Sequence, residues 1–186
     1  LALPLAQKLG LIMIRGTEIT RKMPPGHFNA IFITDVAPMD TPSYLDSMQV
    51  AKDQGGFIFW NHPPFPHPDL IAVWQPEQEE IFQKGFMQGI EVANGAYYYP
   101  KVHQWCLDKK LTMIGTSDIH NPIHMDYDFA RGEHRTMTLV FAKEKTAKGI
   151  KDALLARRTV VYWRDKLIGE TEYLEAIFNK SIHVKN

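Results

Sequence analysis

Short apolar runs, most of them ending in a polar residue or a turn, recur along this chain and alternate with stretches of helical spacing. The runs lie in LGLIMIRGTEIT, in GHFNAIFITDV after a Pro24-Pro25-Gly26 turn, and in GFIFWNHP, GIEVANG, LTMIGTSDIH, RTMTLVFA and RTVVYW. Leu11 to Ile14 is expected to be a buried strand that delivers Glu18 just beyond its end. Between the runs, Thr41-Pro42 predicts a helix start with Tyr44, Leu45, Met48 and Ala51 on one face, ended by Gly55-Gly56. Gln75-Pro76-Glu77 opens a second helix carrying Ile81 and Phe82. A third places Val102, Trp105 and Cys106 at helical spacing, with lysines at its C-terminal end where they suit the helix dipole. A fourth starts near Thr146 with Ile150, Ala153 and Leu154 inward. Strands of nearly continuous apolar character alternating with helices predict an α/β fold whose parallel sheet is buried on both faces. A barrel and an open doubly wound sheet both fit this pattern.

The polar residues that close the runs carry the chemistry. Glu18, His62, Glu91 and the pair Asp118-x-His120 each follow an apolar run within a few residues. In parallel α/β folds the C-terminal ends of the strands converge on one face, so groups 100 residues apart in sequence can meet there. His27 opens the segment after the proline turn, and a tight return would bring it back towards Glu18. Asp118 and His120 would share one side of an extended segment, because side chains alternate with period two. Imidazole and carboxylate together suit zinc, manganese or iron, and a glutamate can bridge two ions. Taken singly, a strand-end aspartate is more often a cap or turn former; the five gathered at one edge point to a metal site.

Composition narrows the alternatives. The chain has 186 residues and 45% hydrophobic content, enough for a core, and Lys+Arg equals Asp+Glu at 21 each, so the balance gives no strong sign of nucleic acid or an anionic membrane as partner. A single cysteine excludes a disulfide scaffold and a cysteine-based zinc module. No run is long enough to span a bilayer and no signal pattern opens the chain, so it is expected to be soluble and cytoplasmic rather than exported. The leucine start and the helix-into-strand reading of LALPLAQKLG suggest a fragment. His67, His103, His124 and His183 carry no motif, and no phosphate-cradling glycine loop occurs.

In this order, GTEIT, GHFNAIFI, FIFWNHP, GIEVANG and GTSDIH resemble the PHP family, named for polymerase and histidinol phosphatase, over about Gly10 to His120. The tail KGIKDALLARRTVVYW to LIGETEYL is similar to the region that follows in bacterial stand-alone members. The resemblance implies a distorted (β/α)7 TIM-like barrel, partial in this chain. Residues 1–165 would form its C-terminal portion, and 166–186 a C-terminal helix and the start of a following segment. It also implies two or three divalent ions, Zn, Mn or Fe. Glu18 would bridge two, His27 and His62 would bind one of these, Asp118 the other and His120 a third. Glu91 and Asn94 match a pattern that supports the ligands rather than binding metal.

The implied activity is hydrolysis of small phosphate esters by a metal-activated hydroxide, with no side-chain nucleophile. Of the polar segment HNPIHMDYDFARGEHR, His134 and Arg135 are the candidate phosphate contacts, since guanidinium pairs bidentately with phosphate. The family's His-x-His and Thr-Asp-His motifs do not occur: the Thr34-Asp35 pair continues as Val36. The N-terminal units that bear these motifs are therefore expected to lie outside this chain. Two alternatives stay open, a metal hydrolase of C–N or ester bonds on the same scaffold and a non-catalytic domain with an incomplete site.

Overall fold

The computed structural model describes residues 2–66, 69 and 71–182, so His67 and His183 fall outside the described residues. After a short helix α1 (Ala2–Lys8), strands β1 (Gly16–Ile19), β2 (Phe28–Ile31), β3 (Phe57–Trp60), β4 (Gly89–Asn94), β5 (Tyr97–Tyr98) and β6 (Thr112–Thr116) build one sheet. Helices α2 (Tyr44–Asp53), α3 (Pro76–Gln83) and α4 (Pro100–Lys109) connect them. The chain then forms β7 (Met137–Val140), α5 (Ala147–Leu155), β8 (Thr159–Trp163), β9 (Lys166–Gly169) and α6 (Thr171–Ser181). β7, β8 and β9 make a separate antiparallel sheet.

The first sheet is mixed rather than wholly parallel. β3, β4 and β6 are parallel, whereas β2 runs antiparallel to both of its neighbours, β1 and β3. The link from β1 to β2 is too short for a parallel crossover, which needs a dozen or more residues, so the chain must double back. Neither sheet closes into a barrel among the described residues.

Residues Leu11 to Ile14 do not form the expected strand. Leu11 is 61% and Met13 46% exposed, and the ladder begins only at Gly16, opposite Ile31. The reason lies in the partner. β2 ends at Ile31, and Phe32 turns into the left-handed region at φ +64°, so no extended backbone remains for residues 11–14 to pair with.

α3 and α5 start where the sequence marks them, at Gln75-Pro76 and Thr146, whereas α2 starts at Tyr44, two residues past the marked Thr41-Pro42. Ser43 caps α2 by accepting the Asp46 N–H, and Thr146 caps α5 by accepting the Gly149 N–H. Under the sheet, Trp60 is fully buried and stacks between Phe28 and Trp105, with Trp74 at its edge.

The two sheets meet at β6, whose outer edge has no ladder partner among the described residues. Threonine hydroxyls take up its backbone groups: Thr138 Oγ1 accepts from Gly115 N–H and donates to Gly115 O, both at 2.9 Å. Thr159 Oγ1 donates to Met113 O at 2.9 Å. Gly115 is required at this approach, since a Cβ there would overlap the Val161 side chain.

This register places the site. Ile19, Phe28 and Trp60 are aligned across β1, β2 and β3, and Trp60 is opposite Ile90 of β4. Because β2 is antiparallel, its beginning rather than its end lies at this edge, and His27 immediately precedes it.

Candidate metal centre

Glu18, His27 and His62 come together at this edge, each offering one donor atom, all within 4.8 Å of one another. His27 Nδ1 lies 2.9 Å from His62 Nε2 and 3.3 Å from Glu18 Oε1. Two donors each about 2.0–2.2 Å from one ion at a tetrahedral angle stand roughly 3.3–3.6 Å apart, so the cluster needs only slight widening to hold one. Both Glu18 oxygens are aimed: Oε1 accepts from Thr20 Oγ1 at 2.6 Å and Oε2 from Asn61 Nδ2 at 3.1 Å.

The second nitrogen of His62 faces carboxylates. Nδ1 is buried without a hydrogen-bond partner, 3.7 Å from Glu91 Oε2 and 3.8 Å from Asp118 Oδ2. A buried polar atom without a partner asks for an explanation, and the site offers one: with Nε2 turned to Glu18 and His27, Nδ1 carries the proton and faces the Glu91 and Asp118 carboxylates. Burial pushes the His62 imidazole below its ordinary pKa despite the nearby Asp118, which favours the neutral form that metals bind.

Glu91 is fully buried, and this burial pushes its carboxyl up to about 7. Three donors pull the other way: Thr116 Oγ1 at 2.6 Å, the His62 backbone N–H at 2.6 Å and Asn94 Nδ2 at 2.9 Å. Glu91 therefore stands directly behind His62, and Asn94 reaches the site through Glu91. The backbone is strained on either side of the contact, with His62 at φ +28° and Asp118 at φ +50°. Such non-glycine conformations cost about 1–3 kcal/mol each and cluster at functional sites.

The remaining sequence candidates are more dispersed. His120 has 80% of its side chain exposed, and its Nδ1 turns back to Asp118 O at 2.7 Å, away from the cluster. His134 stacks on Tyr162 at 4.0 Å; its Nδ1 lies 3.0 Å from Arg135 O and its Nε2 accepts the Asp165 N–H at 3.2 Å, so both ring nitrogens are engaged within the fold. Arg135 is exposed. A cleft of about 730 Å³ beside the centre is lined by Asp118, His120, Arg131, His134, Arg164 and Asp165 among others. A groove of about 610 Å³ opens against His27.

Asn61, Thr20, Thr116 and Phe65 belong to the site without having been singled out in the sequence. Asn61 and Thr20 had a usable signal, since one adjoins His62 and the other follows Glu18 by two positions. The Phe65 ring lies 5.4 Å from that of His27 and 5.5 Å from that of His62.

Imidazoles and carboxylates gathered at the strand ends of a mixed α/β sheet form a candidate metal centre. A crystal structure from Bacteroides vulgatus, of a two-domain protein containing a predicted PHP-like metal-dependent phosphoesterase, is similar over 96% of the chain, with 54% identity and a TM-score of 0.93. The match covers 52% of that protein, so the chain spans about half its length. A candidate metal-dependent phosphoesterase from Bifidobacterium adolescentis shares the fold, with a TM-score of 0.52 and 14% identity over 82% of this chain and 79% of that one. No family model and no curated protein matches the chain.

Proposed function

We propose that the chain carries the greater part of a metal-dependent phosphoesterase site that hydrolyses small phosphate esters. The observation that carries this reading is the unpartnered His62 Nδ1, turned towards Asp118 while Nε2 of the same ring joins Glu18 and His27. The ring thus offers Nε2 as a ligand beside Glu18 and His27, while Nδ1 faces the Glu91 and Asp118 carboxylates, which would orient it. Glu18, His27 and His62 would hold one ion and Asp118 another, with His120 swinging in from the cleft rim. We read the open sheet as part of a distorted (β/α)7 barrel. The exposed Leu9, Leu11 and Met13 beside β1 support this, since they present an apolar edge that a neighbouring unit would cover.

Divalent zinc, manganese or iron, when bound, would neutralise phosphoryl charge and acidify a water. The chain's own residues provide the geometry. Thr20 and Asn61 fix both oxygens of Glu18, and Glu91 holds the His62 backbone through its N–H. A covalent route through the single thiol is disfavoured, because Cys106 is buried and burial pushes its thiol far up.

The test uses the protein that contains this chain, stripped with chelator and reloaded with Mn²⁺ or Zn²⁺, on a panel of phosphate esters and amides. Metal-restored cleavage of phosphate esters is expected, and either His62→Ala or Asp118→Ala should abolish it without lowering the melting temperature. Full activity in either variant, or cleavage of amides alone, would overturn the reading.

A further inference from the structure

Among the largest fully buried side chains only two are polar, Glu91 and Gln78. Glu91 stands behind His62, whose backbone N–H it accepts. Gln78 belongs to α3, a helix that gives no group to the Glu18, His27 and His62 cluster, and it reaches the turn that leads into His27.

The two ends of the Gln78 amide do different things. Oε1 accepts the Gln75 N–H at 3.2 Å and completes the start of α3. Nε2 donates to Pro25 O at 2.6 Å, a buried bond across 53 positions that the helix start does not require. The turn has little else to hold it. Pro24 and Pro25 carry no N–H, and the Gly26 N–H goes to Lys22 O at 3.3 Å. Gly26 takes φ +86°, a left-handed conformation immediately before His27.

We infer that Gln78 is a positioning residue for His27. Its bond to Pro25 O holds the proline turn and so sets where the His27 ring meets Glu18 and His62. The inference rests on the metal-centre reading and deepens it. His27 O accepts the Asn61 N–H at 2.9 Å, which fixes the end of the turn, and Gln78 fixes its middle. Without Gln78 the buried Pro25 carbonyl would be left unpaired, and the turn would shift to find another donor. Nδ1 of His27 stands 2.9 Å from His62 Nε2 and 3.3 Å from Glu18 Oε1, so such a shift moves a donor that the ion needs. Each imidazole of the cluster then has one buried polar side chain gripping the backbone at or beside it, Glu91 for His62 and Gln78 for His27.

A double-mutant cycle on metal affinity separates positioning from general support. Mn²⁺ is titrated against a competing chelator in the protein that contains this chain, as wild type, Gln78→Met, His27→Ala and the double variant. Gln78→Met keeps a side chain of similar size and removes both hydrogen bonds. It is expected to weaken Mn²⁺ binding about 10–100-fold beside an intact His27, and by less than about twofold in the His27→Ala background, where no imidazole is left to position. Unchanged affinity in Gln78→Met, or equal weakening in both backgrounds, as a general loosening of the fold predicts, would overturn the assignment. If Gln78→Met unfolds, Gln78→Glu carries the same cycle: it keeps the oxygen for the Gln75 N–H but, when ionised, has no hydrogen to give Pro25 O. Failure of both variants to fold would make Gln78 a folding residue and overturn the assignment as well. Ester hydrolysis, measured in parallel, keeps the two claims apart. The expected cycle without cleavage removes the phosphoesterase reading and keeps the role of Gln78, cleavage with no coupling to His27 does the reverse, and a wild type that binds no Mn²⁺ removes both.

Discussion

Glu91 accepts three hydrogen bonds while sealed from solvent, and one of them comes from the backbone N–H of His62. A carboxylate in that position fixes the ligand's strained backbone and faces its second nitrogen at 3.7 Å. Groups that orient a metal ligand from behind are typically worth about 10–100-fold in metal affinity. Glu91→Gln keeps an oxygen for the His62 N–H and lets the amide face Thr116 Oγ1, so the variant should fold while its affinity for Mn²⁺ or Zn²⁺, titrated against a competing chelator, falls in that range. Unchanged affinity would reduce Glu91 to a core residue. At this scale the sequence reading reached Glu18, His27, His62 and Asp118 because each stands beside an apolar run, where position alone is informative. It did not reach Asn61 as a partner of Glu18, a contact across 43 positions that follows only from the register of β1, β2 and β3. His134 was legible as a polar residue in the right loop, but its stacking on Tyr162 and its bond to the Asp165 N–H depend on the β8–β9 turn folding back over it.

At the scale of elements, β6 is where the two sheets meet. It is parallel to β4 on one side, and on the other it receives threonine hydroxyls instead of a strand. This junction sits at Gly115, three residues before Asp118, and depends on the absence of a side chain there. Gly115→Ala should therefore cost about 1–3 kcal/mol in urea unfolding, as overpacking usually does. Val161→Ala in the same chain should recover part of that loss, because the two positions are in contact. Additive losses in the double variant would contradict the packing account. The helices were legible from their spacing and from the starts at Gln75-Pro76 and Thr146, whereas the Ser43 cap was not singled out. The mixed character of the sheet was not, since an apolar run reads alike in both directions; the antiparallel course of β2 was marked only by the tight return expected to bring His27 back towards Glu18. The same blindness to partners turned Leu11 to Ile14 into an expected strand, although no backbone lies opposite them.

For the whole molecule, the mixed sheet brings donors from four separate segments, at Glu18, His27, His62 and Asp118, to one edge, with a cleft lined by both carboxylates and arginines on one side and a groove against His27 on the other. The charge balance of 21 against 21 leaves little long-range field, so the site rather than the surface must select the ligand. The similarity to the Bacteroides vulgatus structure extends over 96% of the chain, which makes the arrangement a property of the fold as a whole and not of a few motifs. The central claim is that this edge holds metal. Its most direct measurement is anomalous diffraction at the manganese or zinc edge from crystals of the metal-loaded protein. The account predicts a peak about 2.0–2.3 Å from Glu18, His27 and His62, and a second beside Asp118 on the far side of the His62 ring. Metal-loaded crystals with no peak at these side chains would contradict it.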